Sequence, residues 1–424
     1  MVQPHEIHDI IRKHTIGDGE NIAIDPHKSH DTHLVDLITG KSYLDCSSQF
    51  ASSAIGWNHP KMKKHLANLG LVALHKYANS DYYSTEKAQF VQKFASIAPD
   101  FMYFFFVEGG TLAVENALKA AIDWKVKKMT LARGEPLPNY QTQAIDIIHL
   151  EQAFHGRSGY TLSLTNTVPN KTALFPKFNW TRIKNPKITF PLVDSEVAEA
   201  EEKSLQHAEE VLKLGFVAAI ILETIQGEGG DCHFTPRYFA ALRQLADKYE
   251  AMLILDEVQT GVGLTGKMWA YEHFGIVPDM IAFGKKTQVC GFASTSRIDE
   301  IPDNVFHTSS RINSTWGGNI VDMVRFTKII DIINEDNLVK NASVVGAYFL
   351  NELMRVPRIT NVRGLGLMLA FDLETPDARN EVITKMQKKM TVLPCGERSI
   401  RLRPHLIFTT HDVDEAIDII KESV

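Results

Sequence analysis

The chain has 424 residues, 44 % hydrophobic and 23 % charged, the composition of an ordinary globular protein with core enough for two or three domains. A formal net charge of −6 offers no basic face for a nucleic acid, and the longest apolar run, Gly215–Leu222, is too short for a membrane span. Cys46, Cys232, Cys290 and Cys395 lack C-x-x-C spacing and the polar N-terminus lacks a signal-like apolar core, so a cytoplasmic chain with reduced thiols is expected.

In chain order, Ile7, Ile10 and Ile11 share one face of a predicted short docking helix over 6–13. Strands are expected at His33–Leu37 and Ser42–Asp45, then an irregular Ser/Gly/Asn/Pro loop over 47–60. Pro60 starts a helix that Gly70 closes, and another covers 86–95. The apolar run Phe101–Val107 meets Glu108-Gly109-Gly110-Thr111, and helical periodicity follows through Val126. A strand, a glycine pair and a helix start make an anion site, because free N–H groups and the helix dipole face whatever sits there. Taken alone, the same residues also read as a tight turn.

Ile145–Leu150 is strand-like and leads into Phe154-His155-Gly156-Arg157. The Pro- and Lys-rich stretch 169–192 reads as a surface excursion. A helix over Val197–Leu214 precedes the strand Phe216–Leu222, which ends in Glu223; Gln226-Gly227-Glu228-Gly229-Gly230 is the loop after it, and Pro236–Tyr249 is a helix. Two further apolar runs of strand length, Ala251–Leu255 and Met280–Phe283, are followed by Asp256 and Lys285.

This alternation from about residue 100 to 285 predicts an α/β fold with a mostly parallel, doubly wound sheet. Ligands of such sheets sit beyond the carboxyl ends of the strands, so Asp256 and Lys285 reach one crevice. Singly they read as a helix cap and a solvated lysine. Together they suit pyridoxal 5'-phosphate, whose aldehyde takes a lysine and whose ring nitrogen needs an acid. Arg157, Arg401, Glu223 and Glu228 add charges near strand or loop ends, and Phe154-His155 offers a stacking pair.

Helices over 319–335 and 337–355 lead to a strand at Leu365–Phe371, a helix over 378–390, a strand at Ser399–Leu402 and a closing helix over 411–422. Residues 1–57 and 325–424 are expected to form a smaller α+β domain beside a large domain over 58–324. Gly261-Val-Gly-Leu-Thr-Gly266 fits a dinucleotide pattern, but no acid-ended second strand follows at the required distance. The cluster His27, His30, His33 lacks metal-ligand spacing, so no metal is expected.

The stretch DEVQTGVGLTGKMWAYEHFGIVPDMIAFGKK resembles the signature of the fold-type I, class III (ω-) aminotransferases. FVEGGTLAVENALKAA, FHGRSGYTLSLTN, ETIQGEGGD, STWGGN and the terminal IRLRP fit that family in the same order. Within it, NSDYYS, FPKFNW, FGKKTQVCG and RINSTWGGN are most similar to the lysine 6-aminotransferases, with ornithine and 4-aminobutyrate types more distant.

The resemblance implies transfer of the ε-amino group of L-lysine to 2-oxoglutarate, with another ω-amine or a non-catalytic binding role as competing readings. It implies Lys285 as Schiff-base lysine and proton carrier, although residue chemistry does not separate it from Lys286. It implies Asp256 at the ring nitrogen, Gln259 at the ring hydroxyl, Phe154 and His155 against the ring, Glu223 beside the cofactor, and Gly110 and Thr111 at the phosphate. Thr315 is implied to reach that phosphate from a second subunit, making a homodimer with shared sites. Arg157 is implied to hold the α-carboxylate of lysine, and Arg401 the near carboxylate of 2-oxoglutarate. Glu228 is implied to cover Arg401 in one half-reaction and release it in the next.

Overall fold

The computed structural model describes residues 2–17 and 19–424. Among them, one sheet carries the strands Tyr103–Val107, Cys290–Ser294, Met280–Phe283, Met252–Asp256, Val217–Glu223, Asp146–Leu150 and Arg182–Ile183, in that spatial order. The pairs from Met280–Phe283 to Arg182–Ile183 are parallel, while Cys290–Ser294 runs antiparallel to both its neighbours. The fold is α/β, with helices on both faces. Adjacent residues of each central strand point to opposite sides. Ile147, Ile221, Ile254 and Met280 pack with the helix Gly110–Arg133, and Ile148, Ile220, Leu253 and Ile281 pack on the other face. Two-sided burial explains why these strands read as continuous apolar runs rather than alternating ones.

Two smaller sheets join distant parts of the chain. Ser42–Asp45 pairs antiparallel with His33–Val35 and parallel with Met390–Thr391. A four-stranded sheet is ordered Thr360–Leu365, Met368–Asp372, Ser399–Leu402, Leu393–Cys395. The helix Ile320–Glu335 packs on Thr85–Ile97. No helix among the described residues is long and apolar enough to cross a membrane.

Some expectations need correction. Gly70 does not end a helix: the chain breaks after Pro60–Lys63 and resumes as Leu66–Ala73 with Gly70 inside. A lone glycine costs a helix only about 1 kcal/mol, too little to stop it. The expected strand at Leu365–Phe371 is the tip of a hairpin that turns at Gly366, whose φ of 56° lies in the left-handed region. The excursion over 169–192 contains an edge strand, Arg182–Ile183, and Cys290–Ser294 is a strand not anticipated at all. Neither shows a periodic apolar pattern. The first helix forms as expected, over Ile7–His14, with Ile10 and Ile11 exposed in the single chain.

The loop over 47–60 is more constrained than its composition suggests. Ser48, Gln49, Phe50 and Ala51 have φ of 41°, 56°, 58° and 65°. Such a left-handed turn costs L-residues roughly 1–2 kcal/mol each. Buried Asp45 offsets this by accepting from Ser47 N, Ser47 Oγ and Ser48 N at 3.1, 3.0 and 2.8 Å.

Candidate active site

Three neighbouring parallel strands end at one level. Val217–Glu223 and Met252–Asp256 place Glu223 opposite Asp256, and Asp256 lies opposite Ala282, just before the turn that carries Lys285. These side chains line a cavity of about 660 Å³ together with Gly110, Thr111, Phe154, His155, Arg157, Glu228 and Gln259. Val258, Ser52 and Gln288 also line it and were not expected from the sequence.

Asp256 is held at both oxygens. Oδ1 accepts from Val258 N at 3.0 Å, and Oδ2 meets His155 Nδ1 at 2.8 Å. His155 is buried, which opposes its protonation, yet the hydrogen bond and charge of Asp256 outweigh burial and raise its pKa. Its backbone N–H donates to Thr165 Oγ1 at 3.0 Å. His155 therefore orients and counterbalances Asp256, a contact beyond the stacking role its sequence neighbourhood suggested.

Glu223 lines the cavity, but its oxygens accept from Phe154 N at 3.0 Å and Gly227 N at 3.1 Å. It thereby ties two loops together, and burial pushes its pKa up to about 7. Gly110 and Thr111 begin the helix Gly110–Arg133, where the first N–H groups have no intrahelical acceptor. The Thr111 hydroxyl is engaged by Thr161 Oγ1 at 2.6 Å and Ser158 Oγ at 3.1 Å, fastening the helix start to the following loop.

Lys285 and Lys286 part company in three dimensions. Lys285 lines the cavity, its Nζ meets no protein acceptor among the described residues, and burial, aided by the charge of Arg401, lowers its pKa to about 8. Lys286 is buried outside the cavity lining, its Nζ also unpartnered, and burial lowers its pKa well below the ordinary lysine value.

Gln259 Oε1 accepts from Arg403 Nε and Nη2, both at 3.1 Å. A guanidinium can only donate, so the amide oxygen is the atom it meets and the amide NH₂ is left for the cavity. Arg403 is fully buried and also meets Asp231. The sequence contains it in IRLRP, one alternation after Arg401, but nothing there ties it to Gln259.

Arg401 is buried behind the cavity and bound through Nη2 to Glu228, which does line it. Glu228 also accepts from Lys171 Nζ at 2.9 Å. Burial alone would raise the pKa of Glu228, but Arg401 and Lys171 together lower it to about 2. Lys171 lies in the stretch read as a surface excursion, and no sequence signal marked it. Arg157 is exposed at the cavity and makes no hydrogen bond or ion pair among the described residues. Thr315 sits on an exposed turn outside the cavity of its own chain, with its carbonyl accepting from Ser80 Oγ at 2.8 Å.

This donor set fits pyridoxal phosphate. A helix start offers N–H groups to the phosphate, a pinned acid suits the ring nitrogen, a free amide donor suits the ring hydroxyl, and an amine with a lowered pKa suits the aldehyde.

Comparison with known proteins agrees with this chemistry. The family model for class III aminotransferases matches residues 16–424. The L-lysine-epsilon aminotransferase of Streptomyces clavuligerus is 45 % identical over 435 residues, covering 99 % of this chain and 94 % of that protein. Human mitochondrial 4-aminobutyrate aminotransferase is 31 % identical over 431 residues, covering 93 % of this chain and 83 % of that protein. The solved lysine aminotransferase from M. tuberculosis, in its internal aldimine form, superposes with a TM-score of 0.96 at 44 % identity, covering 100 % of this chain and 99 % of that one.

Proposed function

The chain belongs to the class III aminotransferases, pyridoxal phosphate-dependent enzymes of fold-type I, and from that premise we propose that it moves the ε-amino group of L-lysine to 2-oxoglutarate. The products are L-glutamate and 2-aminoadipate 6-semialdehyde, which cyclises. The observation that carries this reading is the grouping of Lys285, His155-supported Asp256, open Arg157 and Glu228-covered Arg401 around one cavity. The full-length likeness to lysine-ε aminotransferases supports lysine as the amine.

When bound, pyridoxal phosphate supplies an aldehyde that captures amines and a protonated ring that stores electron density. Asp256, hydrogen-bonded to His155, would face the ring nitrogen and hold its proton. Lys285 would hold the cofactor covalently and, once a substrate amine releases it, would move a proton at its Nζ; burial lowers the pKa of that free amine to about 8, well matched to neutral conditions. Phe154 and Val258 give apolar walls, and the N–H groups of Gly110 and Thr111 take the phosphate.

Arg157 takes the α-carboxylate of lysine, keeping the α-amine away from the reacting centre. Glu228 covers Arg401 during that half-reaction, so that no second cation draws the carboxylate inward. For 2-oxoglutarate, Glu228 moves off, Arg401 takes the near carboxylate and Arg157 the far one. The same reading makes the protein a cytoplasmic homodimer in which the partner subunit's Thr315 completes the phosphate site; the exposure of Thr315 supports this. It also takes 1–57 and 325–424 as one small domain beside a large domain over 58–324.

Three measurements test the proposal. Borohydride reduction of the holoprotein, followed by peptide mapping, labels Lys285; a label on Lys286, or none, overturns the assignment. Lys285→Ala lowers turnover by about 10⁴-fold. In a single half-reaction with lysine, ornithine or 4-aminobutyrate side by side, lysine reacts fastest and loses its ε-nitrogen; preference for another amine overturns the substrate.

A further inference from the structure

Glu228 stands between two cations from different elements. Its Oε1 meets Nη2 of Arg401 on the strand Ser399–Leu402, and its Oε2 meets Nζ of Lys171 at 2.9 Å, at the end of the short turn Pro169–Lys171. The Lys171 ammonium also lies 5.2 Å from the centroid of the Phe154 ring, which lines the cavity. Lys171 is thus packed at the edge of the active site rather than extended into water.

The backbone beneath Glu228 has little freedom. A Cβ added to Gly227 would come 2.3 Å from Gln259 Oε1, and one on Gly229 would come 2.3 Å from the carbonyl oxygen of Gln152. The carbonyl of Glu228 accepts from Gly396 N at 3.0 Å. Withdrawal of the carboxylate from Arg401 is therefore a rotation of one side chain on a fixed backbone, starting from a position already 2.9 Å from Lys171 Nζ. A carboxylate leaving one cation in a largely desolvated place is strongly disfavoured unless another receives it.

We infer that Lys171 is the second anchor of the Glu228 carboxylate, a positioning residue that keeps Glu228 paired while Arg401 serves the dicarboxylate 2-oxo acid. This inference rests on the Glu228 gate proposed above. With Lys171 present, Glu228 has two cationic partners when it covers Arg401 and one when it does not. Without Lys171 those numbers become one and none. The loss falls on the uncovered state, hence on the acceptor half-reaction and not on the lysine half-reaction.

The test uses the holoenzyme, glutarate as a dicarboxylate that cannot accept an amino group, and calorimetry to read its binding. Lys171→Gln raises both the glutarate Kd and the acceptor's KM by about 5- to 20-fold, as expected for loss of one partly buried ion pair. The lysine KM stays within about twofold, and Lys171→Arg restores glutarate affinity because it keeps the charge. Thermal unfolding of both variants checks that they remain folded. Glu228→Ala tightens glutarate binding by uncovering Arg401, and in that background Lys171→Gln changes the Kd by less than about twofold because no carboxylate is left to anchor.

Equal weakening by Lys171→Gln with and without Glu228 would mean that Lys171 binds the ligand directly, and the anchor role falls. No change in Kd or KM on Lys171→Gln also overturns it, while leaving the gate intact. Should Glu228→Ala leave glutarate affinity and the choice of amine unaltered, the gate itself is wrong, and the anchor fails with it.

Discussion

Two arginines two positions apart, Arg401 and Arg403, each meet an acid from the same loop, Glu228 and Asp231. Arg403 uses every guanidinium nitrogen: Nε and Nη2 on Gln259, Nη1 on the carbonyls of Leu369 and Leu402, and Nη2 also on Asp231. Arg401 binds Glu228 through Nη2, and its buried Nε has no partner among the described residues. The Asp231 side chain is 0 % exposed, whereas that of Glu228 is 23 % exposed and has Lys171 as an alternative partner. The Arg403 guanidinium is fully engaged and holds Gln259 in place, although Asp231 Oδ2 has no partner among the described residues; the Arg401 guanidinium keeps donors free, as the proposed exchange of Glu228 for a substrate carboxylate requires. Two arginine–carboxylate pairs thus differ in how fully the remaining guanidinium donors are satisfied, and that difference, rather than the ion pair itself, sets how readily each can exchange its partner.

The largest expected effect tests the Arg403 pair. Arg403→Leu leaves Asp231 as an uncompensated buried carboxylate and lowers the unfolding free energy by about 3–5 kcal/mol. Arg401→Leu costs only about 1 kcal/mol, since Glu228 keeps Lys171. Urea unfolding of both variants reads the difference, and equal losses would break the contrast between the pairs.

A smaller effect tests the gate. Glu228→Ala exposes Arg401 to the α-carboxylate of lysine and raises α-nitrogen transfer by about tenfold. Product identification after one half-reaction with lysine reads this, and unchanged ε-selectivity would remove Glu228 from that role.

The smallest sharpens the same lesson on a second pair of neighbours, Lys285 and Lys286. In the cofactor-free protein, burial holds the Lys285 pKa near 8 against an ordinary 10.5, so its reactive neutral form grows as pH rises through about 8. Amine-directed labelling with peptide mapping should give a midpoint near 8 for Lys285, and almost no labelling of Lys286, which lies outside the cavity lining. A midpoint near the ordinary value for Lys285, or ready labelling of Lys286, would show that environment does not separate them.

Much of the site was legible because its key residues directly follow apolar runs of strand length. Asp256 and Glu223 each close a strand, and Lys285 comes two positions after one, so finding the strands found them. Gly110 and Thr111 were legible as a helix start for the same local reason. The Asp256–His155 bond spans 101 positions and was missed, although each residue stands out in the sequence. Lys171 was missed outright, because a lysine in a polar stretch carries no local mark of the acid it will meet.

The amino-acid sequence by itself determined the parallel strands, the loops at their carboxyl ends and the kinds of side chain brought there, since those follow from short-range apolar patterning and backbone preference. Only the tertiary structure decided that Lys285 rather than Lys286 faces the cavity, that Gln259 is set by Arg403, and that Glu228 has Lys171 as well as Arg401. Those choices depend on contacts between residues 57 to 173 positions apart, where burial and the pairing of desolvated charges select partners that no local pattern encodes.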